Sequence, residues 1–150
     1  MQSNLSAMQK GFTLIEILIV VAIIGLLSSI ILVGLGSFNV RARDASRITE
    51  LRQTENGMAL YYNKNQRYPD VVGDSWTSLT DALVGGGIGV TKVPNDPTPG
   101  RTYRYGVSGD GQSYVLAATL EDTGNRELLK DVDGTVFSVA CDDPIYCTQF

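Results

Sequence analysis

The sequence predicts an α+β subunit: one long N-terminal helix, transmembrane in its first half, with a small antiparallel β-sheet head packed on its second half. Three observations carry this. Residues 17–38 hold no charge, while residues 39–150 hold 26 of the 28 charged side chains. No proline occurs before Pro69, so a helix can run on beyond the uncharged stretch. After Pro69, three runs of β-forming residues alternate with Gly-, Pro- and Asp-rich turns. With 150 residues and a net charge of −4, the chain has the length of one domain, but a single soluble domain does not segregate its charges this way. The chain contains no His, which excludes an imidazole base, a His metal ligand and a Ser–His pair.

Residues 1–11 are polar with one basic residue, Lys10. The uncharged run that follows has 22 residues, and about 20 helical residues cross a bilayer core of ~30 Å. Three readings of the run compete: a cleaved secretory signal, a plain transmembrane anchor, and an anchor that packs against copies of itself. The first is disfavoured because the apolar core is too long and its small residues Gly25, Ser28 and Ser29 lie inside it. Two features favour the third. Glu16 stands at the head of the run, where an acid either snorkels to the headgroups or faces a partner. Gly25 and Ser29 form a small-xxx-small pair that lets backbones approach.

The leader ending in Lys10-Gly11, then Phe12-Thr13-Leu14-Ile15-Glu16 and the apolar run, resembles the N-terminus of type IV prepilins and type II secretion pseudopilins. The resemblance implies a leader at 1–11, a filament-core helix at 12–38, a helical spine at 39–67 and a globular head at 68–150. It implies cleavage by a prepilin peptidase between Gly11 and Phe12, N-methylation of the new Phe12 amine, and pairing of Glu16 with a neighbour's N-terminal amine during filament assembly. Residues 45–69, with Leu51, Glu55, Tyr62 and Arg67-Tyr68-Pro69, are similar to the spine of the type II secretion major pseudopilin. Val93-Pro94-Asn95-Asp96-Pro97 followed by Tyr103-Arg104-Tyr105 looks like its loop and first strand. Two departures stand out. Val33, beside Gly34 and Gly36, sits where many members carry a proline, and the C-terminal cysteine pair is more like that of pilins. Positive charge is also heavier after the run (Arg41, Arg43, Arg47, Arg52) than before it, which by charge bias alone reverses the orientation that the family implies.

Along the spine, Ile48, Leu51, Met58, Ala59 and Tyr62 are expected on one apolar face, with Glu55 inside the stripe, reaching water or a Tyr hydroxyl. Tyr68-Pro69-Asp70 ends the helix. Trp76, Leu79 and Leu83 mark one face of a short helix that Gly85-Gly86-Gly87 breaks. Residues 102–107, 113–120 and 134–140 are the strand candidates, the first two joined by a hairpin loop at 108–111. Residues 41–67 carry a net charge of +3 and residues 68–150 a net charge of −7. Acidic heads are therefore expected to stack on basic spines, with Arg43 and Arg47 facing neighbours.

Cys141 and Cys147 are the only cysteines. They match neither a zinc site nor a redox Cys-x-x-Cys, and are expected to form a disulfide that pins the tail, which requires an oxidising compartment. Major pseudopilins often hold calcium in C-terminal loops. Asp131, Asp133, Asp142 and Asp143 are the weak candidates here, and no cofactor is expected otherwise. No nucleophile or nucleotide motif is recognisable, so no enzyme activity is expected. Nucleic acid is an unfavoured partner for an acidic head. The implied function is a structural subunit of a type IV pilus or a secretion pseudopilus. It is single-pass in the inner membrane with its head outside the cytoplasm, and serves secretion, motility or adhesion. The implied partners are copies of itself, the peptidase, an assembly ATPase, a membrane platform, and minor pilins or pseudopilins. The alternative is a membrane-anchored extracytoplasmic binding module that never polymerises.

Overall fold

The computed structural model describes residues 11–70 and 75–150, without the side chains of 30–35. The expected leader, apart from Gly11, and the side-chain surroundings of Val33 and Gly34 lie outside the described residues. Helix α1 (Leu14–Asn65) is continuous, and the chain divides between Phe38 and Asn39 into two units.

The N-terminal unit is the first part of α1. Thr13 and Glu16 close a capping box at its start. The Thr13 backbone N–H and hydroxyl donate to Glu16 Oε2 at 2.8 and 2.7 Å, and the Glu16 N–H donates back to the Thr13 hydroxyl at 3.3 Å. The described apolar side chains of this stretch are exposed on every side. Among the described residues, no helix is long and apolar enough to cross a membrane, and residues 30–35 of the expected span lie outside the described side chains.

The second unit holds the rest of α1, helix α2 (Trp76–Gly85), a 3-10 turn at Arg126–Leu129, and five strands: β1 (Arg104–Val107), β2 (Tyr114–Thr119), β3 (Thr135–Val136), β4 (Val139–Ala140) and β5 (Ile145–Gln149). The main sheet is antiparallel in the order β1-β2-β5, and β3 pairs with β4 in a separate hairpin. The small antiparallel sheet on a helix is therefore as expected. The third strand is not. Residues 134–140 fold back on themselves through Phe137 and Ser138, both at positive φ (46° and 68°), as a type I′ hairpin turn demands. Neither residue is the Asn or Gly that usually signals such a turn. The sheet's third strand instead comes from the tail, where Ile145–Gln149 pairs with β2 in the register Ala117↔Cys147.

Strand β2 is central and buried on both faces, and its side chains sort by parity. Tyr114, Leu116 and Ala118 join Tyr103 and Tyr105, Ile48, Leu51 and Met58 of α1, and Trp76, Leu79 and Leu83 of α2 in the main core. Val115 and Ala117 face a smaller cluster with Val139, Cys141 and Cys147. Gly106 lets the β3–β4 hairpin close over β1, since a Cβ there would lie 2.5 Å from the Phe137 carbonyl oxygen. The α1 stripe follows the expected spacing at Ile48, Leu51 and Met58, but Tyr61 rather than Tyr62 packs against the core. Ala59 is exposed, because the buried face runs instead through Asp44, Arg47, Ile48, Leu51, Thr54 and Met58. Half-buried Glu55 accepts from the Thr148 hydroxyl at 3.0 Å rather than from a tyrosine. Helix α2 follows the expected face, with Ser75 as N-cap accepting from the Ser78 N–H at 3.2 Å.

Candidate functional site

At the N-terminal site, Gly11, Phe12 and Thr13 are non-helical and exposed, and Phe12 is 85% exposed. Glu16 lies one helical turn in, exposed, with its carboxylate held by Thr13. The Thr-x-x-Glu spacing of this box is legible in the sequence. A Cβ built on Gly25 meets nothing within 4 Å, so this face stands open, and Ser29 turns its hydroxyl back to the Leu26 carbonyl at 2.7 Å. The arrangement offers an accessible peptide bond ahead of a capped helix, then an unpartnered apolar rod with one carboxylate at its head.

In the head, the cysteines do form the Cys141–Cys147 disulfide. It joins the end of the β3–β4 hairpin to β5. Beside it, the Cys147 N–H donates to Asp131 Oδ2 at 2.8 Å, and Val132 N–H reaches the Cys147 carbonyl at 3.4 Å, so the outer edge of β5 is covered locally. Asp131, Asp133 and Asp143 each bring a carboxylate oxygen within 4.8 Å of the others, while Asp142 is not part of the group. Asp131 Oδ1 is buried without a hydrogen-bond partner. Burial pushes the Asp131 carboxyl up, and the charges of Asp133 and Asp143 add to this against the Cys147 N–H. Three hard oxygen donors around an unsatisfied carboxylate suit calcium in chemistry, but supply fewer than the six to eight oxygens it takes.

The sequence reading missed an ion network within the subunit. Arg47 is 0% exposed. Its Nη1 donates to Asp44 Oδ1 at 2.7 Å, and its Nε and Nη2 grip both oxygens of Asp96 at 2.8 and 3.0 Å. Nη2 also donates to Thr98 Oγ1 at 2.8 Å and lies 2.8 Å from Glu121 Oε1. Asp44 accepts the backbone N–H groups of Glu121 and Asp122, both at 2.9 Å. Arg43 Nε donates to Glu121 Oε1 at 2.8 Å. The hydrogen bond from Arg43 holds the Glu121 carboxyl down at about 2, against burial and with help from Arg47. Burial works against the charged form of Asp96, and Arg47 outweighs it, so that carboxyl is also lowered. Arg47 itself is desolvated, yet its carboxylates raise its pKa further. The expectation that Arg47 faces neighbouring subunits is thus overturned. It ties the spine to the 96–98 and 121–122 loops of its own head, and Arg43 is largely committed to Glu121.

Residues 6–32 match the family model described as the prokaryotic N-terminal methylation motif. The chain is 33% identical over 98 residues to type II secretion system core protein G of Aeromonas hydrophila, covering 65% of this chain and 60% of that protein. It is 26% identical over 137 residues to core protein G of Klebsiella michiganensis, covering 81% and 96%. Against the type IV major pilin protein PilA of Myxococcus xanthus it is 34% identical over 68 residues, covering 45% of this chain and 31% of the pilin. The chain thus spans less than two thirds of the Aeromonas and Myxococcus relatives. These relatives are pilin and secretion-system proteins, not enzymes. No solved structure matches the chain. With the methylation motif at its N-terminus and relatives on both sides of the pilin and pseudopilin divide, the chain is similar to type IV pilins and type II secretion pseudopilins.

Proposed function

We propose that the chain is a structural, non-catalytic subunit of a type IV pilus or a type II secretion pseudopilus. It is held in the inner membrane by residues 12–38, cut between Gly11 and Phe12, methylated at Phe12, and polymerised with its head outside the cytoplasm. The peptidase, an assembly ATPase, a membrane platform and minor subunits are its partners in this reading. The observation that carries it is the exposed apolar helix with a single carboxylate at its head. Apolar surface left open on all sides is stable only in lipid or against copies of itself. An acid within that surface is costly unless it meets a cation, and cleavage creates one such cation at Phe12. Thr13 holds the Glu16 carboxylate until the neighbour's amine arrives. No observation favours a non-polymerising module.

The test is Glu16→Ala in the native cell. The expected result is normal membrane insertion and cleavage with loss of filaments. Filaments at the wild-type level, or a mature chain that still begins at Met1, would defeat the proposal.

A second reading concerns the loop aspartates. Asp131, Asp133 and Asp143 are proposed to bind calcium, on the strength of the unpartnered Asp131 Oδ1. Calcium is expected to raise the melting temperature of the full chain, and Asp131→Asn to remove the effect. Identical melting in calcium and in chelator ends this reading.

A further inference from the structure

Four arginines follow the uncharged run, on the side where charge bias does not want them. The fold accounts for two. Arg47 is buried among three carboxylates, and Arg43 is bound to Glu121. Arg41 is different. It is 71% exposed and only 3.7 Å from Asp122, a loose contact in water. It also lies three positions beyond Phe38, the last residue of the run.

Around this end of the spine the head folds two loops that bring further arginines from far along the chain. On one side, Arg41, Asp122, Gly124, Asn125 and Arg126 line a cleft of about 440 Å³. On the other, Arg43, Thr98, Arg101 and Glu121 line one of about 300 Å³ between Pro97 and Pro99. Arg101 and Arg126 make no ion pair among the described residues. The acids nearby are committed. Asp44 and Asp96 are buried on Arg47, Glu121 is shared by Arg43 and Arg47, and Asp122 caps the Gly124 N–H at 3.0 Å. Around this end of the spine, Arg41, Arg101 and Arg126 are left at the surface, against a head of net negative charge.

We propose that Arg41, Arg101 and Arg126 form a collar that binds the phosphates of anionic phospholipid headgroups on the leaflet facing the head. This rests on the proposed insertion of residues 12–38 in the membrane. Guanidinium groups match phosphate oxygens in charge and geometry. Arg41, one helical turn past the run, falls at headgroup depth when the run fills the hydrocarbon. The collar seats the head on the bilayer before assembly, and drawing the subunit out of the membrane must break those contacts.

The experiment is hydrogen exchange of the full chain in nanodiscs of phosphatidylcholine alone and of phosphatidylcholine with phosphatidylglycerol. The expected result is slower exchange of residues 97–101 and 121–126 in the phosphatidylglycerol discs, weakened by added salt. Arg41→Gln, Arg101→Gln and Arg126→Gln are each expected to reduce the preference for anionic discs by roughly fivefold, at unchanged melting temperature. Equal exchange in both discs, from a chain that co-elutes with both, overturns the collar and leaves the membrane reading intact. A chain that co-elutes with neither disc overturns the membrane reading itself. Equal slowing by inorganic phosphate in phosphatidylcholine discs overturns a lipid ligand in favour of a free anion. If the three substitutions leave exchange unchanged but abolish filaments, the surface belongs to a protein contact and the proposal fails.

Discussion

In the first half of α1 one carboxylate, Glu16, stands among exposed apolar side chains, and among the described residues its hydrogen bonds are those of its own Thr13 cap. In the second half, Asp44 and Arg47 are buried outright, and both Asp44 oxygens and all three Arg47 nitrogens find partners within the subunit. One helix therefore carries two kinds of charge. The spine's charges are consumed at home and fix the head's loops to the helix. The charge at the helix start has no cation within its own described unit, and the filament reading supplies one from a neighbour. Substitutions in the two halves should accordingly separate folding from assembly.

The largest expected effect is in the spine. Arg47→Met leaves the buried Asp44 and Asp96 carboxylates without their cation and Glu121 with Arg43 alone, and should destabilise the head by about 3–5 kcal/mol, read by denaturant unfolding of the full chain. Glu16→Ala in the same assay should change nothing, and a comparable loss there would erase the contrast between the halves. Next comes Gly106→Ala. Its Cβ meets the Phe137 carbonyl oxygen and the Val139 side chain, at 2.5 and 2.9 Å, and the clash should cost about 1–3 kcal/mol while leaving the spine network intact.

Acid should sharpen the comparison further. Glu121 and Asp96 have folded-state pKa values below their ordinary 4.5 and 3.8, so their stabilising contribution is complete above about pH 4.5. It is lost as the pH falls toward the folded value of Glu121, about 2. Melting temperature should therefore drop across that window. Arg43→Gln should shift the drop to higher pH, because the Arg43 hydrogen bond is the largest influence holding Glu121 down. An unshifted acid midpoint in Arg43→Gln would show that the network does not govern acid stability. The smallest effect has the opposite sign. A Cβ at Gly57 makes only ordinary 3.5 Å contacts with Leu83 and Val90, and α1 gains helix propensity there, so Gly57→Ala should stabilise by up to about 1 kcal/mol.

Much of the fold was readable because its signals are local. The long helix, its end before Pro69 and the α2 face of Trp76, Leu79 and Leu83 follow from periodicity and breakers over a few residues. The N-terminal motif is likewise contiguous. What stayed hidden depends on distance along the chain. Asp44 and Arg47 share the stripe of Ile48 and Leu51, and their three-residue spacing was visible, but Asp96 lies 49 residues and Glu121 74 residues beyond Arg47, where spacing says nothing of contact. The hairpin at Phe137-Ser138 adopts positive φ without the glycine that announces it. Strand β5 reads in the sequence as a disulfide-pinned tail because Pro144 and Cys147 are loop chemistry, whereas Ile145, Tyr146 and Thr148 are strand formers.

Strand β2 sits between β1 and β5, so the sheet cannot close until residues 145–149 are available to pair. The spine precedes them by some eighty residues. Leu51 and Met58 are made early, and the residues that join them in the core, from Trp76 of α2 to Tyr146 of β5, follow 18 to 95 residues later. Closure of the head's sheet is thus a late step, which leaves the apolar stripe of the spine incompletely covered until nearly the whole chain has been made.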